Sequence, residues 1–126
     1  MTRRAVVKGV GHYLPERVVP NAEFEKTLDT SDEWIRARSG IERRHFAAKD
    51  QPTSDLATQA ATAALAMAGM EGDEIDAIVV ATSTADLTFP SVATMVQQAI
   101  GNTKGYALMC KQFAPVLSMP YRTPMR

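Results

Sequence analysis

The sequence holds little of what usually marks a reactive site. It has one cysteine, Cys110, so no internal disulfide can form. A reducing compartment suits that usage. Its two histidines, His12 and His45, stand alone in the sequence and read as loop or surface residues rather than as catalytic bases. There is no paired-cysteine zinc spacing, no glycine-rich phosphate loop and no Gly-x-Ser-x-Gly elbow. Neither a bound metal nor a resident cofactor is expected. No stretch approaches the roughly 20 apolar residues of a membrane helix. Lys8 interrupts the apolar run after Arg3 and Arg4 too early for a signal-peptide core. The expectation is a soluble, cytoplasmic protein without membrane contact.

Charge of one sign is also lacking. Lys plus Arg is 14 and Asp plus Glu is 14, so the formal net charge is zero. That argues against a general nucleic-acid binder, which carries a basic excess. The balance is local rather than uniform. Residues 1–50 hold ten basic residues, while 51–103 hold none and carry six acids. The basic half could meet an anion, and a solvated mixed surface fits the charges equally well.

What is present alternates strands with helices. Ala5–Val10 is short and β-branched and predicts a buried strand. Tyr13–Pro20 carries two prolines and predicts a loop. Asn21 is placed to cap a short helix over Ala22–Leu28, with Glu23 near its positive end. Thr30 with Glu33 three residues on forms a capping-box pattern, so a helix is expected from there to Ser39, stopped at Gly40. Ile41–Pro52 predicts a loop or exposed ribbon. Ser54–Ala68 predicts a helix, with Leu56, Ala60, Ala63 or Ala64, and Met67 at helical spacing. Ile75–Thr82 is nearly all apolar and predicts a strand buried on both faces. Phe89-Pro90-Ser91 then opens a helix to Ile100. The class is α/β, on a parallel or mixed sheet.

Trp34 and Arg38 lie four apart and share a helix face. An indole can stack on a purine and a guanidinium can bind phosphate. Together they suit an adenine nucleotide or CoA, although a tryptophan on an amphipathic helix is more often plain packing.

Several segments carry a family likeness. Asp29-Thr30-Ser31-Asp32-Glu33-Trp34-Ile35, Arg38-Ser39-Gly40-Ile41 and Arg43-Arg44-His45 resemble the opening of β-ketoacyl-acyl-carrier-protein synthase III. So do Gly11–Val18, Thr53–Ala57, Ile78–Ser83 and Phe89-Pro90-Ser91. The resemblance covers residues 1–107. It implies the thiolase-like fold, of which the chain would hold an incomplete first half only. It also implies a homodimer that condenses acetyl-CoA, or another short acyl-CoA, with malonyl-acyl carrier protein (malonyl-ACP) to start fatty-acid synthesis. Acyl-CoA would be substrate rather than cofactor. By the same resemblance Trp34 would stack on the CoA adenine, Arg38 would sit near its phosphates and Thr30 would line that site. Phe89 would lie at the dimer interface, reaching towards the partner's acyl pocket. Arg36, Arg43 and Arg44 could meet an acidic partner such as the carrier protein.

The pattern breaks after Ala107. The family's nucleophilic cysteine falls on Ala114, and Cys110, four residues early and without the following glycine, is a remote candidate. The family's histidine and asparagine, which decarboxylate the malonyl group, have no counterpart here. Residues 108–126 read as a non-family tail, expected to be irregular. The loss of one nucleotide near codon 108 would explain it. Restoring that base permits Phe-Asp-Val-Gln-Ala-Val-Cys-Ala-Gly, with the cysteine in place of Ala114. The alternative is a non-catalytic remnant that binds CoA or pairs with an intact synthase. The nucleotide sequence across codons 100–126 is expected to show a cysteine codon at position 114 in the shifted frame. Stop codons or unrelated residues in that frame would sink the frameshift reading.

Overall fold

The computed structural model describes residues 4–110 of the 126. In chain order the elements are β1 (Arg17–Pro20), α1 (Asn21–Phe24), α2 (Asp32–Ser39), β2 (Arg43–Phe46) and α3 (Thr53–Ala68). A 3-10 turn over Gly72–Glu74 follows, then β3 (Ala77–Ala81), α4 (Val92–Ala99) and β4 (Tyr106–Cys110).

β1 and β2 form an antiparallel ribbon in which Val19 faces Arg44. β2 meets the ribbon expectation for Ile41–Pro52. β1 corrects the loop expected over Tyr13–Pro20: Pro20, which has no N–H to give, sits at the strand's end. β3 and β4 are parallel, with Ala77 opposite Tyr106 and Ala81 opposite Cys110. α4 is the crossover between them and packs on both strands. Val92, Ala93 and Val96 of α4 are buried, as is Val19 of the ribbon. Burial of each valine contributes about 1.5 kcal/mol or more.

Other boundaries hold to within a residue or two. α3 runs from Thr53 to Ala68, and α4 starts after Ser91, whose hydroxyl accepts from the Thr94 N–H at 3.2 Å. α2 ends at Ser39, with Gly40 left-handed at φ 70°.

Besides β1 and the start of the tail, four expectations change. The first concerns Ala5–Val10, which is not a strand: Val6 and Val7 are about four-fifths exposed. No described strand pairs with it. It lies against α3 instead, so closely that a Cβ on Gly9 would stand 2.5 Å from the Ala64 carbonyl oxygen and one on Gly11 2.3 Å from that of Ala60. Second, β3 is not buried on both faces. Ile78 and Val80 are half-buried while Val79 is 63% exposed, because a helix covers one face and β4 one edge. Third, α1 is a single turn, and the Asn21 side chain does not cap it. Fourth, the cap of α2 is Ser31 rather than Thr30, and Ser31 Oγ accepts from the Trp34 N–H at 3.1 Å. Residues 108–110, expected to be irregular, complete β4. The rest of that tail, 111–126, lies outside the described residues.

Asn102 joins the ends of this α/β unit. Its Nδ2 donates to the Gly72 and Ile75 carbonyls at 2.8 and 2.5 Å. Its Oδ1 accepts from the Gly105 N–H at 2.8 Å and from Gln97 Nε2 at 3.0 Å. Beside it, Lys104 and Thr103 hold the Asp73 carboxyl well below the usual carboxylate range.

α3 begins after Pro52 with no cap of its own. Asp86, from the loop after β3, supplies one. Its two carboxylate oxygens accept from the Thr53 and Ser54 N–H groups at 2.6 and 3.0 Å. Burial pushes the Asp86 carboxyl up, but the hydrogen bonds from Ser54 and Thr53 outweigh it and hold it below the usual value. A carboxyl so lowered adds stability that is complete above its unfolded pKa of about 3.9 and is lost as pH falls through the lower folded value. Asp86→Ala is expected to cost about 1 kcal/mol in urea unfolding followed by helical circular dichroism. Asp86→Asn should flatten the stability profile in that acid window, and an unchanged profile would count against this cap.

Candidate functional site

The sequence singles out α2, and the structure shows how it is displayed. The helix has eight residues and none is buried. Acidic Asp32 and Glu33 fill its first turn, and Arg36 and Arg38 its last, each favourable for the helix dipole. Four-residue spacing brings Trp34 and Arg38 together. The Arg38 guanidinium carbon lies 4.4 Å from the centre of the Trp34 ring system. Trp34 remains 53% exposed. The pair is therefore an aromatic–guanidinium stack facing solvent rather than core packing.

A guanidinium placed over an indole can still present N–H groups to an anion. The indole offers its remaining surface to a planar base. The stack can thus take a ring and a phosphate on neighbouring atoms. Thr30 lies just before the cap, and its Oγ1 is buried with no partner among the described residues.

The other basic residues differ in availability. Arg36 is held by Glu42 at 2.7 Å and Asp32 at 3.5 Å. The Arg44 guanidinium lies 4.5 Å from the centre of the Phe24 ring, and Phe24 meets Phe46 edge-on at 6.1 Å. Among the described residues Arg43 has no ion pair. Sequence reading missed this Phe24–Phe46–Arg44 cluster, because Phe24 lies on α1 and the other two on β2.

The remaining candidates are not gathered here. Phe89 sits in the loop before α4 and is 88% exposed. Cys110 is exposed at the end of β4. Ala114 lies outside the described residues. His45 Nδ1 donates to the Pro15 carbonyl at 2.5 Å, a structural contact, and His12 is exposed. No metal-holding group of His, Cys, Asp and Glu occurs among the described residues. No described helix is long and apolar enough to cross a membrane. A groove of about 680 Å³ lies elsewhere, lined by Tyr13, Glu16, Arg17, Asp50 and Asp55 among others. Its three carboxylates oppose an anionic ligand, so the α2 stack is the better site for one.

Comparison with known proteins decides the relationship. The chain is 71% identical over 122 residues to the β-ketoacyl-[acyl-carrier-protein] synthase III of Ruegeria pomeroyi, covering 94% of this chain. The chain belongs to the β-ketoacyl-ACP synthase III family. Solved synthases III agree in structure. That of Pseudomonas aeruginosa has a TM-score of 0.76 at 45% identity and covers 86% of this chain. That of Aquifex aeolicus has a TM-score of 0.77 at 41% identity and covers 82%. No family model matches the chain. The chain spans 38% of the Ruegeria synthase III and 33% of each of these two structures. The fold is accordingly thiolase-like and partial.

Removing the Arg38 guanidinium is expected to uncover Trp34. Arg38→Ala should raise the acrylamide quenching of Trp34, the sole tryptophan. It should cost no more than about 1 kcal/mol of stability, the usual size of an exposed cation–π contact. Unchanged quenching would mean that the stack does not persist in solution.

Proposed function

We propose that this chain is part of a synthase that joins acetyl-CoA, or another short acyl-CoA, to malonyl-ACP at the start of fatty-acid synthesis. In this reading Trp34, Arg38 and Thr30 form its CoA-contacting surface. The observation that carries the reading is the exposed Trp34–Arg38 stack in a chain of this family. Stacking of a base on an aromatic ring is worth about 1–3 kcal/mol, enough to orient an adenine. Arg38 would bond the phosphates through its free edge, and the Thr30 hydroxyl would gain the partner it lacks. Phe89, nearly bare, would meet the second subunit of a homodimer.

In the complete reaction a cysteine thiolate attacks the acyl-CoA carbonyl and CoA leaves as thiolate. Malonyl-ACP then loses CO₂, and its carbanion attacks the acyl-cysteine. The β-ketoacyl-ACP departs and the thiolate is regenerated. Alanine at position 114 cannot serve as that nucleophile. That residue favours a second reading, a non-catalytic remnant that binds CoA or pairs with an intact synthase.

Two measurements on the purified 126-residue chain test this. Coenzyme A titration is expected to change Trp34 fluorescence saturably, and a flat titration would remove the CoA assignment. Malonyl-ACP and acetyl-CoA together are expected to give no acetoacetyl-ACP. Product above background would overturn the assignment of the missing nucleophile to position 114.

A further inference from the structure

The Trp34–Arg38 stack rides on a helix too short to be stable alone. An eight-residue helix with no buried residue has neither the length nor the packing that usually maintains one. Its ends must be held from outside. Ser31 caps the front, and the Asp32 N–H is met by Glu25 Oε1 at 2.6 Å.

The strongest hold comes from Asn21, a residue of α1 that is 1% exposed. Its Nδ2 donates to Asp32 Oδ1 at 2.8 Å and to the Ile41 carbonyl at 2.7 Å. Asp32 is the first residue of α2, and Ile41 follows the glycine that ends it. One buried amide nitrogen therefore ties the segment before Trp34 to the segment after Arg38. Its backbone N–H adds a bond to the Glu42 carbonyl at 3.3 Å. Arg36 closes the circuit between Asp32 and Glu42.

We propose that Asn21 is a positioning residue for the CoA surface: it fixes α2 at both ends and so holds Trp34 and Arg38 stacked and displayed. It need not touch the ligand. The link to CoA rests on the reading above, whereas the link to the stack rests on the hydrogen bonds alone. Aspartate is nearly isosteric at this position but has no N–H. Asn21→Asp would set an oxygen against the Asp32 carboxylate and the Ile41 carbonyl. Asp32→Asn in that background returns one donor to the pair.

The test uses the full 126-residue chain and reads Trp34 directly. Without ligand, Asn21→Asp is expected to raise acrylamide quenching of Trp34 while helical circular dichroism is largely kept. The Asn21→Asp, Asp32→Asn pair should recover part of the original quenching. With coenzyme A, the single variant should weaken binding about tenfold or more. Unchanged quenching in both Asn21→Asp and Asn21→Ala would overturn the proposal. So would collapse of the helical signal in both, since Asn21 would then be a general folding residue. If the unaltered chain ignores coenzyme A but the quenching pattern holds, the CoA reading falls and the positioning role stands.

Discussion

The α/β unit depends on one buried carboxamide. Asn102 uses both its donors on the carbonyls of Gly72 and Ile75 and its oxygen on Gly105 and Gln97. These partners lie at the turn before β3, at the start of β4 and on α4. A single side chain thus fixes where two parallel strands begin relative to each other, which sets Ala77 opposite Tyr106. A slip of one residue would turn Ile78 and Val80 away from α4. Each of the four bonds has a modest net worth, about 1 kcal/mol. The carbonyls and N–H left unpaired without them would cost more, because burial removes water as a substitute partner.

The same dependence governs the candidate site. Both α2 and α3 take hydrogen bonds at their ends from residues outside the helix. Asp86 reaches α3 from more than thirty residues away, and Asn21 reaches both ends of α2. An exposed aromatic–guanidinium stack gains little stability from its own contact. Its geometry therefore has to be inherited from a buried polar group nearby. The site is displayed by α2 but anchored in α1.

Local rules were legible where one residue decides the matter. Gly40 stops α2 because it can adopt a positive φ, and Ser91 opens α4 because its hydroxyl reaches an N–H three residues on. Trp34 and Arg38 were readable as neighbours because helical spacing alone brings them together. What failed were choices between equals and questions of partnership. Thr30 and Ser31 both offer a hydroxyl for one cap, and only tertiary placement selects Ser31. Asn21 has the sequence context of a cap, but Asp32 and Ile41, at 11 and 20 positions' remove, compete for its amide. Ala5–Val10 has the composition of a strand, yet a strand is a relation between two segments, and this one lies against a helix. The family was legible from ordered motifs, which carry more information than propensity does.

The distribution of cations has a consequence for proteolysis. Between Lys49 and Lys104 the chain contains no lysine or arginine. Trypsin therefore leaves α3, the 3-10 turn, β3 and α4 as one uncut piece, whether the chain is folded or not. The scissile bond after Lys104 lies between α4 and β4, two residues from the start of that strand. A nick there severs the crossover connection while leaving the β3–β4 ladder intact. Whether the two pieces then travel together through a sizing column reports on the non-covalent hold of the ladder, of α4 on β4 and of the Asn102 and Gln97 bonds to Gly105, free of any covalent help.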